Sequence, residues 1–212
     1  TIEDLAVISY LQKKFHTLIL IRKTALLCKI LYIKNSSKFL FDSYMKNYVP
    51  ELEECPICHV TGRCRFHATY KRNIIDFILG RTVYQSISVT RVICESCGHT
   101  HAVLPDCIIP YGQYSLFFIL RVLAEYFSHW RTVAMLCKIY QITPSMLYYW
   151  KNQFISHYSS WMKYLQPQNP PTPFDFLKEI CQTELFSKFQ SDFFEQFAQS
   201  FLQIHVNSAA CY

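Results

Sequence analysis

Glycine is nearly missing, with four in 212 residues. No glycine-rich loop is available to cradle a phosphate, so the nucleotide-binding motifs that need one are excluded. Charge is sparse, at 17% of residues, and the acids are dispersed. Asp76, Asp106, Glu125, Asp175, Glu179, Glu184 and Asp192 follow no spacing that would gather them around a pair of catalytic metal ions. No nucleophile stands in a recognisable local motif. These absences argue against an enzyme. The sequence has no internal repeat and no stretch that reads as a signal peptide: the first residues are mixed polar, and no small-residue cleavage site follows the apolar run. A reducing cytoplasm is the expected compartment.

Long uninterrupted apolar runs are also lacking. The nearest is residues 18–33, which Arg22, Lys23 and Lys29 interrupt. Each charge near a bilayer centre costs about 2.5–3.5 kcal/mol on insertion scales, while each Leu or Ile returns about 0.3–0.6. The charges win. A partly amphipathic helix packed on the rest of the protein or on a partner is expected, and a membrane partner is not. Asn35-Ser36-Ser37-Lys38 is a polar break after it.

Cysteines and aromatics are plentiful, and the net charge is +6. That charge permits a polyanionic partner without demanding one. Cys55-Pro56-Ile57-Cys58 and Cys94-Glu95-Ser96-Cys97 are two pairs of thiols, each two residues apart and followed by turn-forming residues. Two such turns supply four thiolates, the closed tetrahedral set that structural zinc prefers. Zn2+ held by Cys55, Cys58, Cys94 and Cys97 is therefore expected. Cys64 and His67 could complete another site with the first pair, and His99 and His101 stand beside the second. The four-cysteine set is preferred because it explains both turns at once. A histidine near such a site is more often a hydrogen-bond partner of a ligand than a ligand itself. Cys28, Cys107, Cys137, Cys181 and Cys211 lie singly in apolar surroundings and read as core residues.

Ile87, Val89, Arg91 and Ile93 alternate with Ser88, Thr90 and Val92, which reads as a strand entering the second cysteine turn. Residues 66–72 read as another strand, 76–80 as a loop or hairpin tip, and 100–104 as a strand stopped by Pro105. A small antiparallel sheet with metal at one end follows.

Beyond it, Leu116, Ile119, Leu120 and Leu123 recur at helical spacing. A short helix over 132–140 places Val133, Leu136 and Cys137 inward. Gln141-Ile142 turns the chain. Thr143 caps a third helix, with Pro144 at its first position, where the missing N–H costs nothing. Short helix, brief turn and capped helix make the helix-turn-helix pattern. The capped helix of such a pair enters the major groove of DNA. Ser145, Met146, Tyr148, Tyr149, Lys151 and Asn152 are its outward candidates, with Arg131 and Lys138 on the preceding helix placed to hold phosphates. Lys71 and Arg72, with Tyr70, Arg63, Arg65, Arg81 and Arg91, make the sheet basic and partly aromatic, which suits phosphate contact. Residues 166–173 are proline-rich, and 174–204 are Phe-rich at mixed spacing, as short helices that cover the core or form a partner surface.

This order of features resembles a bacterial family. It is carried by Cys55-Pro56-Ile57-Cys58, Tyr70-Lys71-Arg72, the run from Arg91 through Cys94-Glu95-Ser96-Cys97-Gly98-His99-Thr100-His101 to Pro105, then Ile109-Pro110-Tyr111 and a helix-turn-helix closing at Trp150. The family is an uncharacterised domain of unknown function, often linked with insertion sequences. Thr143 to Trp150 is similar to the helix-turn-helix of transposases and their accessory proteins. The likeness spans residues 40–164, leaves out 1–34, and is weak over the Phe-rich part. It implies double-stranded DNA as partner and a transposition accessory or regulatory role, with the protein on the nucleoid when bound. The Phe-rich C-terminus would receive a transposase or another protein, and no small-molecule substrate is implied. Two rival readings are the DNA-recognition part of a transposase whose catalytic domain is absent or encoded separately, and a protein-interaction adaptor that never touches DNA.

The expected fold is α+β: a small antiparallel zinc-ribbon sheet, a helix-turn-helix region and a C-terminal helical segment. The expected divisions are 1–39, 40–112, 113–165 and 166–212.

Overall fold

Valine, isoleucine, threonine and tyrosine dominate two stretches that pair as a long hairpin in the computed structural model. These residue types fit a pleated, half-buried surface. The strands are β2 (Cys64–Ile78) and β3 (Arg81–Cys94), joined by the two-residue turn Leu79-Gly80. They pair from Ile78↔Arg81 to Cys64↔Cys94, and a bulge between Phe66 and Ala68 leaves His67 unopposed. β4 (Thr100–Pro105) pairs antiparallel with β3, with Thr90 opposite Val103. The structure describes residues 28–31, 42, 45–105, 107–181, 183–197 and 199–203.

Two expectations change here. Residues 28–31, expected to be helical, form β1 (Cys28–Leu31), which pairs parallel with β4 from Cys28↔Ala102 to Leu31↔Pro105. The sheet order is β1-β4-β3-β2. Residues 1–27 of the expected apolar segment, and Cys211, lie outside the described residues. The long gap between the cysteine pairs predicts an extended hairpin, and its expected tip over 76–80 narrows to Leu79-Gly80. Asp76, Phe77 and Ile78 are strand, not tip, because Ile75 and Phe77 pack against the helical core and carry the pairing onward.

The helices that follow are α1 (Leu116–Phe127), α2 (Val133–Tyr140), α3 (Pro144–Leu165), α4 (Pro173–Ile180) and α5 (Thr183–Phe197). Ser115, Thr132, Thr143 and Thr172 cap the first four, each accepting the N–H three residues on. Such caps satisfy a backbone donor that the helix cannot. A sheet in which β2, β3 and β4 run antiparallel, followed by five helices among the described residues, is the α+β fold expected, with the parallel strand β1 added at its edge.

α3 is the central post of the helical body. Leu147, Trp150, Phe154, His157 and Trp161 repeat at intervals of three and four and are all buried. The Phe-rich segment closes over them: Phe176, Phe186, Phe189, Phe193 and Phe201 are buried in the same core. These five rings cover the core. The His157 Nδ1 accepts the Leu202 N–H at 2.9 Å, and the Gln190 Oε1 accepts the Phe201 N–H at 3.3 Å. The Tyr158 hydroxyl donates to the Pro171 carbonyl and ties down the proline-rich linker. Cys181, expected in the core, is exposed at the C-cap of α4.

Burial raises the Asp192 carboxyl on α5 to about 6; Glu195 adds to the rise and Lys188 opposes it. The folded pKa lies above the unfolded one, so stability is full below about pH 4, falls as pH rises toward 6, and stays lower above. Asp192→Asn is expected to gain about 1 kcal/mol near pH 7.5 and nothing near pH 3.5, read from urea melts at both values.

Sheet and helices meet at a polar junction. Ser115, the buried α1 cap, donates its hydroxyl to Asp76 Oδ1 at 2.9 Å while accepting the Phe118 N–H at 3.0 Å. The Asp76 carboxylate thus faces the positive end of α1. Ile75 exchanges backbone hydrogen bonds with Gln113 and Ser115. From β2, the Arg72 Nη2 donates to the carbonyls of Ile109 and Gly112 in the approach to α1.

Candidate metal centre

The two cysteine turns have the same backbone. In the first, the Cys55 N–H donates to the Val60 carbonyl (3.1 Å) and the His59 N–H to the Cys55 carbonyl (2.9 Å). In the second, the Cys94 N–H donates to the His99 carbonyl (2.9 Å) and the Gly98 N–H to the Cys94 carbonyl (2.8 Å). His59 and Gly98 are equivalent, and both lie in the left-handed region, with φ of 58° and 73°. Glycine adopts that conformation without steric cost. His59 does so while its Nδ1 meets Glu54 Oε1 at 2.6 Å. The Glu95 N–H bonds the Arg63 carbonyl (2.9 Å), anchoring the second turn to the start of β2.

The turns bring together the four predicted thiols. All four Sγ atoms lie within 4.8 Å of one another, and among the described residues this is the one cluster of three or more metal-ligating side chains. The cross-pair edges are Cys55–Cys97 at 3.7 Å and Cys58–Cys94 at 3.6 Å. A tetrahedral ion with metal–sulfur bonds of about 2.3 Å has sulfur–sulfur edges of about 3.8 Å. The donors therefore fit a four-coordinate ion, and the edges are far too long for a disulfide.

The electrostatics of the thiols also fit. Burial tends to raise the Cys94 thiol, but the N–H groups of Cys97 and Ser96 and the neighbouring thiols outweigh it, bringing the pKa to about 7. At Cys97 the His99 N–H lowers the pKa, yet burial and the Cys55, Cys94 and Cys58 sulfurs raise it to about 12. Four thiols this close cannot all ionise unless a cation shares the space.

Around the sulfurs, His101 on β4 is fully buried, with Nε2 at 3.5 Å from Cys55 Sγ. Facing a thiolate, that nitrogen acts as donor. His99 is exposed. Cys64 is buried against Cys55 and Cys94, while His67 is exposed at the bulge, so these two do not build the alternative site. Arg65, expected to serve phosphates, reaches toward both turns. Its guanidinium donates to the Gly62 and Cys64 carbonyls and lies 3.7 Å from Glu51 and from Glu95.

The residues predicted to meet DNA are spread over three places. Ser145, Tyr148, Tyr149 and Asn152 are exposed on α3, while Met146 and Lys151 are half-buried. Lys151 and Asn152 border an open groove of about 590 Å³, shared with Tyr126, Phe127, His129 and Ile155. Lys138 on α2 and Lys71 on β2 are exposed. Arg131 pairs with Glu125, which also accepts the Tyr140 hydroxyl at 2.7 Å, and Arg72 is spent on the α1 junction. Arg72 is thus an internal tie, while the Arg131 side chain stays exposed beside Glu125. Trp130 escaped the sequence reading: it is 87% exposed, just before the Thr132 cap of α2. Its signal was a tryptophan between two polar residues outside any apolar repeat.

These features define a four-cysteine ribbon joined to a bundle that contains a helix, a turn and a capped helix. Residues 55–141 match the family model described as a domain of unknown function (DUF6431), running from the first cysteine to the left-handed cap of α2. No curated protein and no solved structure matches the chain. Among the described residues, no helix is long and apolar enough to cross a membrane.

Proposed function

We propose that this is a zinc-stabilised DNA-binding protein. The observation that carries the reading is the face of α3. Its first turns leave Ser145, Tyr148, Tyr149 and Asn152 exposed while Leu147, Trp150 and Phe154 hold the helix rigidly in the core. A rigid capped helix with hydroxyls, an amide and a nearby lysine can donate to and accept from base edges and phosphates. Trp130 and Arg131 stand at the start of α2, where the first helix of such a pair crosses the DNA backbone. Zinc on Cys55, Cys58, Cys94 and Cys97 would fix the ribbon. Four thiolates leave no open position for water, so the ion is structural rather than catalytic. The resemblance to proteins linked with insertion sequences supports a role as an accessory factor or regulator of transposition, acting on the nucleoid.

The test is binding of zinc-loaded protein to duplex DNA at about 50 and about 200 mM salt. Phosphate-driven binding must weaken steeply between the two. Replacing Tyr148, Tyr149 and Lys151 together by Ala is expected to lower affinity at least about a hundredfold, with circular dichroism and zinc content unchanged. Unchanged affinity would move the interface off α3. No binding at the lower salt by folded, zinc-loaded protein would favour a protein-interaction adaptor.

A further inference from the structure

The β2–β3 hairpin ends in a feature that costs stability without serving the core. Leu79 and Gly80 both have positive φ, 50° and 78°, the two-residue turn that favours Asn, Asp or Gly at its first position. Leucine occupies that position instead. Its side chain is 93% exposed, beside a 40% exposed Ile78. A branched apolar residue in the left-handed region, projecting into water, is disfavoured twice over. An observed outlier of this kind is a reason to look for function.

Two independent observations say what meets the tip. The first is charge. Arg81 directly follows the tip and is exposed, and Lys138 is exposed on α2, the helix whose last residue the hairpin touches. The second is position. Thr82, one residue beyond Arg81, donates its hydroxyl to the Tyr140 carbonyl at 3.2 Å, and the Phe77 ring lies 4.6 Å from that of Tyr140. Tyr140 is the last residue of α2, so the tip stands beside the turn that leads into α3.

We infer that the hairpin tip is a wing of the helix-turn-helix, with Leu79 pressed into the minor groove next to the major groove that α3 enters, and Arg81 on a flanking phosphate. This rests on the DNA-binding reading of α3. Apolar wedges at such tips part base steps and bend the duplex, and a cation beside them holds the backbone.

The experiment uses the full zinc-loaded chain and duplexes labelled at both ends, reading affinity by anisotropy and bending by energy transfer. Leu79→Asn suits the turn better, so its melting temperature is expected to equal or exceed that of the unaltered protein. Its affinity is expected to fall roughly tenfold, and the bend to disappear. Arg81→Ala is expected to reduce the salt slope by about one. A Leu79→Asn protein that binds and bends DNA like the unaltered one overturns the proposal. If that happens while the Tyr148, Tyr149 and Lys151 variant loses binding, the α3 reading stands alone. If Leu79→Asn loses the bend while the α3 variant binds normally, the tip meets DNA by itself, and the wing proposal falls together with the α3 reading. Absence of any duplex binding by the unaltered protein removes both.

Discussion

Replacing Cys94 and Cys97 together by Ser is expected to abolish bound zinc and to unfold the ribbon. The two residues supply half of the sulfur cluster, and no other group of ligating side chains among the described residues stands ready to replace them. Structural zinc contributes apparent binding free energies of about 10–16 kcal/mol in small domains. Whole domains are stable by only about 5–15 kcal/mol, so the ribbon has no reserve to absorb the loss. The cysteine cluster has little else to hold it: its buried members are Cys55, Cys64 and Cys94 themselves, with Ile57, Cys58 and Cys97 partly buried around them. Metal analysis should find one zinc per chain before the change and none after it. Amide exchange should show lost protection across 55–104. Cys64→Ser is the control: it should keep its zinc, because Cys64 packs against the set without belonging to it. A double variant that retained one zinc would transfer the site to Cys64 and His67.

The metal turns were legible because their information is local. Two thiols three positions apart, a left-handed residue next and a returning strand are all contained in six residues. The same holds for α2 and α3, where Thr132, Thr143 and Pro144 announce each start and Gln141, at φ 54°, marks the stop. What remained hidden depends on partners far along the chain. Residues 28–31 pair with 102–105, and nothing in either tetrapeptide names the other. The length of β2 comes from Ile75 and Phe77 finding a helical core built from residues after 108.

Arg72 shows the same limit for function. A sequence displays a cation and not its acceptor, and the carbonyls that take Arg72 lie 37 and 40 residues away. Only His101 ran the other way. Strand alternation after Gly98 places it on the face of β4 opposite Ala102, and the fold turns that face to Cys55. The mixed spacing of the Phe-rich segment also has a physical cause. α4, of eight residues, and α5, of fifteen, are separate helices whose rings enter one core, so no single helical period runs through the segment.

The second large effect concerns that core. Phe154 is fully buried on α3, and its ring lies 5.5 Å from Phe127, 6.2 Å from Phe176 and 6.0 Å from Phe201. It therefore joins α1, α3, α4 and the turn after α5. Phe154→Ala deletes the ring that all four share, and rings packed on each other cannot collapse into the space without leaving their own contacts. The expected cost is roughly 3–5 kcal/mol, seen as a lower urea midpoint with near-ultraviolet dichroism weakened. The zinc content should not change, because the sulfur cluster and the ring cluster share no buried residue. If the variant also lost its zinc, ribbon and bundle would be one cooperative unit. The coupling would then run through Phe77, the Ser115–Asp76 bond and the Arg72 clamp, the contacts that tie the ribbon to α1 and to the end of α2.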